Sequence, residues 1–140
     1  MLTIQRASRA SHIPSDRRLR AWARAVLPRS HDVTVRYVAA AEARRLNREF
    51  RAKDYATNVL SFPYDDAPRG TVAGDIVICA PVVAREAREQ RKGVEAHHAH
   101  LLIHGLLHLQ GYDHEREVDA RRMERRERAV LAKFGFPDPY

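Results

Sequence analysis

A single cysteine, Cys79, stands among 140 residues, so no internal disulfide can form and the small secreted frameworks held by such bridges are excluded. Cys79 closes an apolar strand-like segment and reads as an inert core residue. Long apolar runs are missing too: nothing approaches the roughly 18 residues of a membrane span. The arginines near the N-terminus lack the apolar stretch that follows them in a secretory signal. The expectation is a cytoplasmic protein without membrane association. No glycine-rich loop suited to a nucleotide phosphate occurs, and no segment repeats. Lysine is scarce, at three residues against 22 arginines.

What is present is positive charge. The formal net charge is +7, and residues 1–30 carry seven arginines against one acid, Asp16. Such an excess attracts a polyanion and makes binding salt-dependent, although a basic surface also serves solubility. The length fits one domain, residues 1–140, around one hydrophobic core. Apolar alternation predicts strands over 32–38 and 72–79, with shorter ones at 2–4 and 59–62. Helical periodicity predicts helices over 15–27, 40–50, 81–90, 94–110 and 114–134. Phe50 is expected to anchor the second of these, and Val118 and Met123 to be core contacts of the last. The order of elements has no regular βαβ series, which points to an α+β fold.

The helix over 94–110 carries the most specific pattern, His104-x-x-x-His108-x-x-Gly111-x-x-His114. Residues four apart on a helix are separated by about 40° around its axis, so His104 and His108 share a face. Gly111 permits the positive φ that ends a helix and brings His114 back toward the pair. Three neutral imidazoles suit zinc first, with nickel as a substitute, and leave a coordination position open, as catalytic sites do. His100 and His104 are an alternative helical pair, and His97 and His100 otherwise back the site or line a groove. Apolar residues cover the rest of this helix, which makes it a buried metal-binding platform. Zinc peptidases with this spacing place a glutamate general base after the first histidine; here that residue is Gly105.

Outside the motif, Arg51 and Lys53 are candidates to clamp a phosphate, with a solvated surface role as the plain alternative. Thr57, Asn58 and Ser61 either bond a substrate or cap the turn into the next strand. Asp75, after Gly74, is either a surface carboxylate or an anchor for the neighbouring loop. Asp113 either orients His114 or accepts from a backbone amide. Tyr112 either packs or stacks on a base. The alternating charges of 115–128, five acids and six arginines, read as a solvated face with i,i+4 pairs.

Three blocks in order resemble the YbeY-type bacterial endoribonuclease family: Arg51-Ala52-Lys53-Asp54-Tyr55-Ala56-Thr57-Asn58-Val59-Leu60-Ser61-Phe62-Pro63, then Gly74-Asp75-Ile76-Val77-Ile78, then the histidine motif with Gly105, Gly111 and Asp113. Ala56 departs from the proline common in the family, a change in loop stiffness. The resemblance implies a central mixed sheet packed against helices, with the zinc helix beneath an open groove. It implies that His104, His108 and His114 hold the metal and that Arg51 is the groove arginine. It further implies cleavage of single-stranded RNA, maturation of ribosomal RNA including the small-subunit 3′ end, and ribosome quality control. The implied partners are the small ribosomal subunit and ribosomal proteins. On the histidines alone, a metal-dependent hydrolase of another substrate or a non-catalytic RNA-binding factor with structural zinc fits as well.

Overall fold

The computed structural model describes residues 1–140. Its elements are β1 (Leu2–Ala7), α1 (Asp16–Arg24), β2 (His31–Val38), α2 (Ala40–Arg51), β3 (Val59–Pro63), β4 (Val72–Cys79), α3 (Ala80–Glu89), α4 (Val94–Leu109) and α5 (Glu117–Lys133). The sheet order is β1-β2-β4-β3. Strands β1, β2 and β4 are parallel, and β3 runs antiparallel against β4. This is the expected α+β arrangement with a small mixed sheet, and β1 extends three residues beyond its expected end.

The two-residue period of the strands divides the apolar side chains between two layers. Val33, Val35, Tyr37, Ile76 and Ile78 enter one layer with α1, α4 and α5. Val38, Leu60, Val77 and Cys79 enter the other with Ala43 of α2 and Val82 of α3. Ser15 caps α1, its hydroxyl accepting from Arg18 N–H at 3.3 Å. That helix stops at Arg24 rather than residue 27, and Val26 and Leu27 pack from the turn that follows. Arginines of the basic N-terminal segment are partly committed to scaffold contacts. Arg6 meets Asp16 at 2.5 Å, Arg20 donates to the Leu2 carbonyl at 2.7 Å, and Arg18 pairs with Glu95.

Helix α4 is buried around most of its circumference, His97 and His98 included, and packs against β3, β4, α1, α3 and α5. Two expected core contacts are corrected. Phe50 is 55% exposed and rests edge-on against Phe62, with ring centres 5.3 Å apart, because Ala43, Leu46 and Asn47 supply the inward face of α2. Val118 is exposed because α5 starts at Glu117 and turns Met123, Glu127, Val130 and Leu131 inward. Met123 is buried, as expected.

On the α1 side of α4, His98 is buried between two polar partners. Its Nε2 lies 3.1 Å from His12 Nδ1, and its Nδ1 lies 3.4 Å from the Tyr37 hydroxyl. Burial above all, and then the neighbouring His12 and His97 rings, push its pKa from 6.5 down to about 3. Below about pH 6.5 the unfolded chain takes up a proton here that the folded chain refuses until about pH 3. This contribution to stability is therefore complete above that window and is lost as pH falls through it. Urea midpoints of the zinc-free protein are expected to drop between about pH 7.5 and 5, with a shallower slope in His98→Gln. An unchanged slope in the variant would place the acid sensitivity in other groups.

Candidate metal centre and groove

The site is built at the C-terminal end of α4. His104 and His108, one turn apart, present Nε2 atoms 3.1 Å from each other. Gly111, at φ 91°, turns the chain after the helix, and His114 returns with its Nδ1 3.1 Å from His108 Nε2. Ligand atoms of tetrahedral zinc at 2.0–2.1 Å lie about 3.3 Å apart, close to these spacings. The three residues form a group whose nitrogen atoms can share one ion.

Hydrogen bonds on the outer sides of the rings decide which nitrogens are free. His104 Nδ1 donates to Glu127 Oε1 at 3.0 Å, and His108 Nδ1 donates to the Tyr112 carbonyl at 3.0 Å. Each bond leaves an Nε2 lone pair facing the common point, the form a metal requires. Burial first, and the adjacent His104 and His114 rings next, hold His108 below the ordinary imidazole value and so keep it neutral. His104 Nε2, His108 Nε2 and His114 Nδ1 thus converge within reach of one ion. The donor set fits zinc, and it forms a single-ion centre.

Glu127 was hidden in the sequence by the charged run of α5. It is 0% exposed, in the stripe shared by Met123, Val130 and Leu131. That i,i+4,i+7,i+8 stripe was the available signal, since a carboxylate on an apolar face must find partners. Burial raises its pKa, but the bonds from His100 and His104 outweigh that and bring it down to about 2. His100 Nε2 meets Glu127 Oε2 at 2.5 Å, and His97 Nε2 meets Glu86 Oε1 at 2.9 Å. Both histidines therefore back the site rather than line its open side.

The three histidines open onto a groove of roughly 640 Å³, whose other wall includes Arg51, Lys53, Tyr55 and Thr57. Arg51 ends α2, where Ala52 adopts a left-handed φ of 57°. Its Nη2 donates to the Ser61 carbonyl at 3.0 Å, and its guanidinium lies 5.7 Å from the Phe62 ring centre. These contacts steady the guanidinium at the wall and leave other N–H groups unengaged. No α1 residue lines the groove, so its cations are Arg51 and Lys53.

The remaining candidates divide by how their side chains are used. Asn58 lines the groove, but its Nδ2 donates to Glu86 at 3.0 Å and its Oδ1 accepts from Val59 N–H at 2.6 Å. Ser61 Oγ reaches the Gly105 carbonyl at 3.4 Å, tying β3 to α4. Lys53 and Thr57 are not tied in this way by their side chains. Asp75 lies away from the groove on β4 and accepts from the Tyr64 hydroxyl at 2.5 Å, anchoring the loop beyond β3. Gly74, beside it, faces Leu109 and the Phe62 carbonyl. Asp113 accepts from the backbone amides of His114 at 2.7 Å and Glu115 at 3.2 Å, which fixes the turn that carries His114. Tyr112 packs against the main core, under the Arg122 guanidinium.

Gly105 explains the missing glutamate. A Cβ at this position would lie 3.1 Å from Ile76 Cδ1 and 3.2 Å from Ser61 Oγ. The helix rests on β3 and β4 here, so even a Cβ is tight and a larger side chain requires Ile76 and Ser61 to give way.

A small mixed sheet, a core helix and three converging imidazoles across a groove from Arg51 and Lys53 define a small α+β metalloenzyme. The family model for "Endoribonuclease YbeY" matches residues 4–135, and the chain belongs to that family. The endoribonuclease YbeY of Aromatoleum aromaticum is 55% identical, across 99% of this chain and 91% of the relative. That of Thiobacillus denitrificans is 52% identical, across 99% of this chain and 95% of the relative. A Thermotoga maritima protein solved in solution shares 26% identity and superposes with a TM-score of 0.57, covering 96% of this chain and 92% of that one.

His108→Ala is expected to weaken zinc binding by more than the roughly 100-fold that outer partners of metal ligands account for. Competition with a chromophoric chelator measures this, with circular dichroism as the check on folding. Wild-type affinity in a folded variant would remove His108 from the site.

Proposed function

We propose that residues 1–140 form one catalytic domain, a zinc-dependent endoribonuclease that cleaves single-stranded RNA. The observation that carries this reading is the placement of three convergent imidazoles and Arg51 along one open groove. Family membership supports the substrate class and extends it to ribosomal RNA maturation, including the small-subunit 3′ end, and to ribosome quality control. The corresponding partners are the small ribosomal subunit and ribosomal proteins, in the cytoplasm. No helix is long and apolar enough to cross a membrane.

His104, His108 and His114 hold the metal, with zinc as the native ion and nickel as a substitute. Zinc supplies Lewis acidity, which polarises a phosphoryl oxygen and acidifies water. Arg51 faces the same groove and pairs through its free N–H groups with the scissile phosphate, whose charge grows in the pentacoordinate transition state. Lys53 and Thr57 contact the backbone of the bound strand on either side. Asn58 and Ser61 act from their tethered positions, holding the β3 wall against α4 and α3. Gly74, Asp75, Gly111 and Asp113 support the site by shaping the chain around it.

Gly105 stands where a peptidase of this spacing carries its base, and its packing favours the nuclease over a peptide hydrolase. Two nucleophiles suit an RNA strand, water and the strand's own 2′-hydroxyl. Attack by the 2′-hydroxyl leaves a 2′,3′-cyclic phosphate and spares a 2′-deoxy strand. Attack by water leaves no cyclic phosphate and tolerates the deoxy sugar.

Arg51→Ala is expected to lower the cleavage rate of an unpaired ribosomal RNA fragment by about 10²–10³, the loss typical of one transition-state donor, with zinc content unchanged. Gel analysis of end-labelled RNA measures it. Full activity in the zinc-loaded variant would end the role assigned to Arg51, and absence of cleavage by zinc-loaded wild type would count against the nuclease reading.

A further inference from the structure

Glu127 accepts from three donors on two segments of the chain, His100 and His104 of α4 and Tyr140 of the stretch after α5. Oε1 accepts from His104 Nδ1 at 3.0 Å. Oε2 lies 2.5 Å from His100 Nε2 and 2.8 Å from the Tyr140 hydroxyl. The carboxylate is completely buried, so these donors stand in for water and hold it in one orientation. Replacing it with an apolar group would leave the His104 Nδ1–H unpaired and the ring free to change tautomer.

Tyr140 reaches this carboxylate because the segment after α5 folds back over it. Lys92 Nζ donates to the Pro139 carbonyl at 2.6 Å, and Arg128 pairs with Asp138 at 2.9 Å. The Tyr140 ring stands edge-on to His100, with centres 5.3 Å apart, and Arg128 lies over it at 5.4 Å. The segment touches neither the groove nor the three metal-facing nitrogens. Its route to the centre runs through one carboxylate.

We propose that Glu127 is a positioning residue for the metal centre and that the 135–140 segment, through Tyr140, clasps it in place. Glu127 fixes His104 as the Nδ1–H tautomer, with Nε2 presented to the ion. Tyr140 and His100 stop the carboxylate from turning away. Docking of the tail and affinity for zinc are then one linked equilibrium: whatever lifts Tyr140 loosens the metal. This rests on the reading of His104 as a metal ligand.

Zinc affinity of the full chain, measured by chelator competition, tests the clasp with Glu127→Ala, Glu127→Gln and Tyr140→Phe. Glu127→Ala is expected to bind zinc about 10–100-fold more weakly, the effect typical of removing an outer hydrogen-bond partner. Glu127→Gln keeps an acceptor for Nδ1–H and recovers part of the loss. Tyr140→Phe falls between wild type and Glu127→Gln. Long-range ¹H–¹⁵N spectra of the zinc-free proteins give a second readout: His104 is the Nδ1–H tautomer in wild type and a mixture in Glu127→Ala. Should Glu127→Ala fail to fold, the two conservative variants carry the comparison. Tight zinc binding by wild type with unchanged affinity and tautomer in the folded Glu127 variants would overturn the positioning role. Unchanged affinity in Tyr140→Phe alone would overturn the clasp. Failure of wild type itself to bind zinc would instead strike the metal-site reading on which both depend.

Discussion

Everything at the metal centre depends on hydrogen bonds made on the far sides of two rings. Two histidines four apart occur on many helices without binding anything, because an imidazole can protonate, flip or exchange tautomers. Here His104 Nδ1 is committed to Glu127 and His108 Nδ1 to the Tyr112 carbonyl, so both Nε2 atoms point inward with lone pairs available. Such an arrangement needs a rigid platform. Helix α4 supplies it by being largely buried and packed against β3, β4, α1, α3 and α5. The backbone that carries its rings is held by the core of the protein.

The same packing shapes the chemistry by what it leaves out. At Gly105 the helix lies close against Ile76 and Ser61, and the position beside the first histidine carries no carboxylate. The wall opposite the histidines instead carries two cations, Arg51 and Lys53, while the acids of the lining, Asp113 and Glu115, flank His114 in sequence. A cation suits a phosphodiester, which gains negative charge during cleavage, better than a neutral amide. Fold, ligand geometry and wall chemistry therefore agree on one substrate class.

Much of this was legible in the sequence because the signals were periodic. The 3.6-residue pattern marks α4 and the two-residue pattern marks β2 and β4, and both periods follow directly from side-chain direction. Gly111 was legible as the turn that returns His114, since few residues adopt its φ readily. Phe50 misled because a large apolar residue at a helix end satisfies the pattern while resting outside on Phe62. Glu127 was overlooked because its neighbours are charged and solvated, although its register matched that of the core residues of α5. Asn58 and Ser61 were ambiguous for a different reason. Side-chain amides and hydroxyls serve scaffold and substrate equally well, and only the positions of Glu86 and the Gly105 carbonyl show which bonds they make.

The three histidines are not equally held. His104 and His108 sit on a packed helix, whereas His114 is exposed, on a turn fixed by backbone bonds to Asp113. The centre is thus a rigid two-toothed chelate closed by a third arm on the surface. The helical pair presents its nitrogens from the packed core, whereas the third nitrogen can move with the surface turn alone. Opening of that turn involves a few residues and does not require melting of the core. One centre thus joins parts of different local stability, two ligands that share the persistence of the core and one that shares the freedom of the surface.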